Sequence, residues 1–265
     1  MRGGVPASSR RVGTVGKAIR TGWLAALIAA LTMMGSAAPG MAAIAPPTPS
    51  GTVASILPAN GAVVGVAHPV IVTFTSPVTN RSAAERAIKV TAPNHMTGTF
   101  NWPEPNVVEW KPDGYWPAHS HVGVQVHALS TGFGTGDEVV GVASISAHTF
   151  TVSQNGEVLR TMPASMGKAT RPTPMGNYSA LSKERTVVMD SRTIGIPLES
   201  SEGYKITAQY AVRVTWGGVY VHSAPWSVDS QGYANVSHGC INLSPDNAAW
   251  YFDMVHLGDP INVVA

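Results

Sequence analysis

Two short segments hold the residue types that nucleophilic chemistry needs. The chain has one cysteine, Cys240, set in Ser237-His238-Gly239-Cys240-Ile241-Asn242. Upstream, a strand-like run Val219-Tyr220-Val221 ends on His222, with Ser223 after it. A cysteine attacks as the thiolate, and a neighbouring imidazole takes its proton or pairs with it. That imidazole must itself be oriented by an acceptor on its other nitrogen. The nearest acid to His222 along the chain is Asp229, so the backbone carbonyl of Ser223 is the natural orienter. Gly239 permits a positive φ and close approach of the backbone to a substrate. The successive amides of His238, Gly239 and Cys240 then suit an oxyanion hole. An isolated cysteine would read as a small buried hydrophobe, and Cys240, His222 and His238 together would also suit a three-ligand zinc site with one open position. It is the combination with the flanking residues that favours covalent catalysis.

That combination is specific. A histidine, a fourteen-residue spacer and Ser-His-Gly-Cys-apolar-Asn resembles the signature of the L,D-transpeptidase (YkuD-type) family. Val221-His-Ser-Ala-Pro-Trp226 and Asn242-Leu-Ser-Pro-Asp-Asn-Ala-Ala-Trp250 are similar to its mycobacterial-type members, which join an immunoglobulin-like module to the catalytic domain. The resemblance implies that Cys240 is the nucleophile and His222 the general acid and base. It assigns the orienting carbonyl to Ser223 and the oxyanion loop to His238, Gly239 and Cys240. Tyr204 matches a lid tyrosine that contacts substrate, and Gly217, Gly218 and Asn242 match substrate-contact positions. Met189–Gly195 matches a flap in which some relatives carry a tyrosine where this chain has Ile194. The implied reaction uses no metal and no cofactor. A peptidoglycan stem tetrapeptide acylates the cysteine, terminal D-Ala leaves, and a neighbouring stem's amine resolves the thioester into a 3→3 cross-link. Carbapenem β-lactams are implied as covalent inhibitors. A carboxypeptidase or endopeptidase of the same thioester type differs only in using water, and a non-catalytic cell-wall-binding protein is the third reading. Trp226 reads as a packing residue, and Asp190 and Asp229 as solvated or capping residues.

The elements that must hold these groups are mostly strands. Composition agrees: of 265 residues, 44 % are hydrophobic and only 12 % charged, with 27 Gly and 20 Pro, so a highly charged disordered chain is excluded. Residues 1–45 read as a signal peptide or N-terminal anchor. Arg2, Arg10, Arg11, Lys17 and Arg20 precede an apolar run from Trp23 to Leu31, then small residues. The expected location is therefore the cell envelope, either secreted to the periplasm or anchored by the uncleaved segment to the outer face of the plasma membrane. Beyond residue 20, 12 Lys and Arg face 15 Asp and Glu, a net of −3, which argues against a nucleic-acid partner. Residues 46–50 form a Pro-rich linker.

The remaining chain is mainly β in two units. Over 51–145, alternating Val70, Val72 and Phe74, and runs at Ile88–Thr91, Gly98–Trp102, Val107–Lys111 and Val122–Val126, predict an immunoglobulin-like β-sandwich. Ser82–Ala87 is a helical turn. His119 and His121 would share a strand face as a possible ligand pair, with ordinary surface histidines the plainer reading. Over 146–265, a β-rich catalytic domain with few helices is expected. Asn155-Gly156 turns a hairpin between Thr149–Val152 and Glu157–Thr161. Val187–Met189 and Val219–Val221 read as buried strands, and 237–242 as a loop. A helix starts at Ser244-Pro245-Asp246, buries Ala248, Tyr251, Phe252 and Val255, and stops at Gly258. Pro260–Ala265 closes as a strand.

Overall fold

The structure is a computed structural model that describes residues 51–265. The export segment 1–45 and the linker 46–50 lie outside the described residues.

The first half is a sandwich. Its strands are β1 (Val53–Leu57), β2 (Val63–Val64), β3 (Val70–Phe74), β4 (Ile88–Thr91), β5 (Gly98–Glu104), β6 (Val107–Pro112), β7 (His121–Val126) and β8 (Leu129–Thr135). They form two four-stranded sheets, β1-β3-β6-β5 and β2-β8-β7-β4. Alternation decides the faces. Val70, Val72 and Phe74 are buried while Ile71 and Thr73 are half-buried. Trp110 and Trp116 stack at 5.4 Å, and Phe133 meets Trp116 edge-on at 5.9 Å. The buried Trp116 satisfies its indole N–H by donating to the His68 carbonyl at 2.8 Å. Helix α1 (Arg81–Ala87) covers one end, with Asn80 accepting from the Ala83 amide as its cap. His119 lies in the turn before β7, with φ +53°, and bonds Asp137 at 2.8 Å. It therefore does not share a strand face with His121, and no cluster of three metal-ligating side chains exists among the described residues.

The second half has strands β9 (Val139–Ser144), β10 (Thr149–Gln154), β11 (Glu157–Pro163), β12 (Gly176–Ser179), β13 (Ser182–Asp190), β14 (Lys205–Arg213), β15 (Tyr220–Ser223), β16 (Ile241–Leu243) and β17 (Pro260–Val264). One sheet runs β11-β10-β9-β17-β12 and the other β13-β14-β15-β16. Strand β9, which the sequence places at the end of the first unit, pairs with β10 and β17 and so belongs to the second. Helix α2 (Pro245–Met254) packs on β14 and β15 and brings Tyr251 edge-on to Phe150 at 4.8 Å. Ser244 caps it and Pro245 opens it, as the sequence indicates. Its stop is earlier than expected, at Met254. Gly258 instead takes φ +88° in the following turn, where a Cβ would lie 2.3 Å from the Cβ of His68. That closeness joins the two halves: Gly65 and Ala67 donate to the carbonyls of Leu257 and Gly258, each at 2.8 Å. Val187–Met189 is not buried. It lies in β13, an edge strand, and Val188 is 58 % exposed.

Candidate active site

The site forms where β15 and β16 pair in parallel. Register sets Val221 opposite Ile241 and His222 opposite Asn242. Cys240 immediately precedes β16, two residues before Asn242, the register partner of His222, and Cys240 and His222 line the same cavity. Residues 237–240 form the expected loop, but Ile241 and Asn242 already belong to β16.

His222 is only 2 % exposed, and its Nδ1 lies 2.8 Å from the Ser223 carbonyl. That carbonyl accepts, so Nδ1 carries the proton and Nε2 is free to act as base. Burial pushes the His222 pKa down to about 4, opposed by the Ser223 bond. Burial pushes the Cys240 thiol up to about 12. Both shifts disfavour charge on the group taken alone. The thiol donates to the Gly218 carbonyl at 3.7 Å.

The loop around the thiol is held from below. Gly239 has φ +124°, a conformation side chains rarely adopt. Its carbonyl accepts from Thr173 Oγ1 at 2.9 Å, and the same hydroxyl accepts from the Gly167 amide at 2.9 Å. Ser237 Oγ donates to the Cys240 carbonyl at 2.7 Å and accepts from the Gly239 amide at 3.0 Å. The Gly239 amide, one of the three expected oxyanion donors, is thus engaged within the loop by the Ser237 hydroxyl.

Two cavities meet at the thiol. One, of about 290 Å³, is lined by His222, Cys240, Tyr204, Trp226, His238 and Asn242, among others. The other, of about 310 Å³, is lined by Cys240, Gly217, Gly218, Tyr204, Ile194 and Trp216, among others. The two cavities thus bring together Cys240, His222, His238, Tyr204, Gly217, Gly218 and Asn242, with Ser223 and Gly239 next to them in the chain. Asn242 is buried and its amide donates to Ser227 Oγ at 3.1 Å, which ties the loop after β15 to β16. His238 points its Nε2 at Lys168, 3.4 Å away, with its ring 5.0 Å from that of Tyr204. Trp226 is not plain packing: it is 53 % exposed, lines the first cavity and sits 5.9 Å from the His222 ring. Asp190 caps the turn Ser191–Ile194 through the Arg192 amide, as a capping residue should. Ile194 forms part of the second cavity wall, so its replacement of a tyrosine bears on that wall. The sequence reading did not single out Thr173 or Ser227, whose hydroxyls reach Gly239 and Asn242 only through the fold.

Residues 138–263 match the YkuD L,D-transpeptidase catalytic domain, and residues 40–131 match a bacterial Ig domain. L,D-transpeptidase 1 of Mycobacterium tuberculosis is 68 % identical over 241 residues, covering 90 % of this chain and 96 % of that protein.

The chain belongs to the L,D-transpeptidase family.

Solved structures of the family agree with the fold. An L,D-transpeptidase in complex with imipenem is 72 % identical, with a TM-score of 0.80 over 81 % of this chain and 99 % of that one. An L,D-transpeptidase from Mycobacterium smegmatis is 66 % identical, with a TM-score of 0.77 over 81 % and 99 %. As an enzyme, the chain is a cysteine-dependent L,D-transpeptidase whose first half is the immunoglobulin-like domain of its mycobacterial relatives.

Proposed function

We propose that the chain forms 3→3 cross-links between peptidoglycan stem peptides through a thioester on Cys240. The observation that carries this reading is the placement of one thiol at the junction of two cavities, beside a buried histidine whose free nitrogen is a base. One cavity accepts the donor tetrapeptide, and the other admits the acceptor amine.

In the first half-reaction the thiol proton passes to His222 Nε2 as sulfur bonds the donor carbonyl carbon. The resulting oxyanion is held by the amides of His238 and Cys240. Collapse breaks the C–N bond, and the imidazolium gives its proton to the departing D-Ala amine. In the second half-reaction the acceptor amine attacks the thioester carbonyl and yields its proton to His222. The C–S bond breaks and the thiolate regains the proton. Because burial disfavours charge on both groups, transfer of the thiol proton to His222 accompanies the attack of sulfur. Carbapenems fit the same chemistry: attack opens the lactam and leaves an acyl group on Cys240. A relative has been solved in complex with imipenem and another with a faropenem-derived adduct. The basic, then apolar, then small-residue start of the chain directs it to the cell envelope, where the first half serves as a spacer.

The test is product analysis with a disaccharide-tetrapeptide carrying diaminopimelate. Cross-linked dimers with equimolar D-Ala are expected. D-Ala with tripeptide monomers only would make water the acceptor and the protein a carboxypeptidase.

A further inference from the structure

Tyr204 borders both cavities, and the segment that carries it, residues 195–204, is a lid between the turn at Ser191–Ile194 and β14. The lid is fastened at its stem. Ser191 donates its amide to the Tyr204 carbonyl at 2.9 Å, and its hydroxyl accepts from the Tyr204 amide at 3.0 Å and donates to the Ile196 carbonyl at 2.9 Å. Toward the tip, Ser200 donates to Pro197 at 3.1 Å and Gly203 to Ser200 at 2.8 Å. These bonds join lid residues to one another and to the turn before them. They fix the lid's shape and leave open what holds it down.

Glu202, near the tip, reaches across to the body of the domain. Its carboxylate lies 2.5 Å from Lys168 Nζ, 3.7 Å from His238 Nε2 and 4.0 Å from Arg171 Nε. The backbone of Lys168 is tied to the body of the domain. Its amide donates to the Ser237 carbonyl at 3.0 Å, beside the loop that presents Cys240. His238 stacks obliquely on Tyr204 on the other side. One carboxylate therefore faces two cations and a histidine kept below its ordinary pKa, first by burial and then by Lys168. The hydrogen bond from Lys168 in turn holds the Glu202 pKa down.

We propose that Glu202 is a positioning residue that clamps the Tyr204 lid onto the Cys240 loop through Lys168, Arg171 and His238. The inference rests on the reading of Cys240 as the nucleophile. Partly exposed ion pairs add little to global stability. Lid opening, however, is a local event of low cost, so a modest network changes the open fraction several-fold. The clamp keeps Tyr204 against both substrates' approaches and excludes water from the thioester.

Cys240 is the chain's only cysteine, so its alkylation by iodoacetamide is read unambiguously from intact mass. In the full chain at fixed pH, Glu202→Gln and Lys168→Met are each expected to raise the alkylation rate about three- to tenfold, with melting temperatures near wild type. The double variant should be no faster than the faster single, because both break one network. High salt should speed the wild type toward Glu202→Gln and leave that variant unchanged. With stem tetrapeptide, Glu202→Gln should raise KM by more than it lowers kcat. Unchanged alkylation in both singles, or factors that multiply in the double, would overturn the clamp. If the wild type made no cross-links yet showed this alkylation pattern, the transpeptidase reading would fail while the clamp stood.

Discussion

The two halves are built from the same short strands, yet they place their polar groups differently. The first half closes its sheets on stacked Trp110 and Trp116, and its half-buried His68, whose pKa burial lowers, bonds the neighbouring Pro69 carbonyl. The second half turns some of its buried polar groups, His222, Ser237 and Asn242 among them, toward a cleft, while others such as Asp259 lie away from it. His222 and Cys240 are driven from their ordinary pKa values by burial, and Tyr204 and His238 shift with them. Parallel pairs occur in both halves, β2–β8 in the first and β9–β17 and β15–β16 in the second; what sets the site apart is the segment that connects β15 to β16. Antiparallel neighbours joined by hairpins leave no gap. The β15–β16 connection must travel over the sheet end, and its path supplies Trp226, His238 and the thiol loop. In one half burial provides stability; in the other it withholds charge from two groups until substrate arrives.

The contrast can be broken at particular residues. His222→Asn removes the base, and kcat should fall roughly a hundred- to ten-thousandfold while the melting temperature changes little. The pH profile carries the sign. His222 accepts a proton only when neutral, and its folded pKa is lowered to about 4 from 6.5. Activity should thus persist as pH drops through the ordinary histidine range and fail only near pH 4; an acid limb at 6.5 would contradict the buried neutral base. In the other half, Trp116→Ala should cost about 3–5 kcal/mol in chemical denaturation and leave kcat per folded molecule unaltered. Thr173→Val strips the hydroxyl that joins Gly167 to Gly239. It should cost about 1–3 kcal/mol and also lower kcat, because the same bonds shape the oxyanion loop. The smallest effect is Ser244→Ala, which uncaps α2: about 0.5–1 kcal/mol lost, with kcat retained.

Legibility in the sequence followed the range of the forces involved. Alternation marked β3, the Asn155-Gly156 turn marked the β10–β11 hairpin, and Ser244-Pro245 marked the start of α2, because each is a local signal. Strand β8 escaped notice because Leu-Ser-Thr-Gly-Phe-Gly-Thr is glycine-rich and has weak intrinsic preference. Strand β9 falls on the first-unit side of the expected boundary at 145, whereas its pairing with β10 and with β17, over a hundred residues on, puts it in the second half. At the site, Cys240, His222 and Ser223 were legible because chemistry dictates their types. The bond from the Gly239 amide to the Ser237 hydroxyl was not legible, because it is set by loop geometry. Thr173, Lys168 and Glu202 carried no signal at all. They are polar residues scattered along the chain whose roles arise only when the fold brings them together.

The account turns on a single covalent bond. Intact-mass analysis of the protein mixed with a diaminopimelate-containing disaccharide-tetrapeptide, beside Cys240→Ala, tests it most directly. The expected result is a mass increase equal to the donor less D-Ala on the wild type, absent from the variant and discharged when acceptor is added. Release of D-Ala by Cys240→Ala at the wild-type rate, or turnover with no adduct trapped at Cys240, would contradict it.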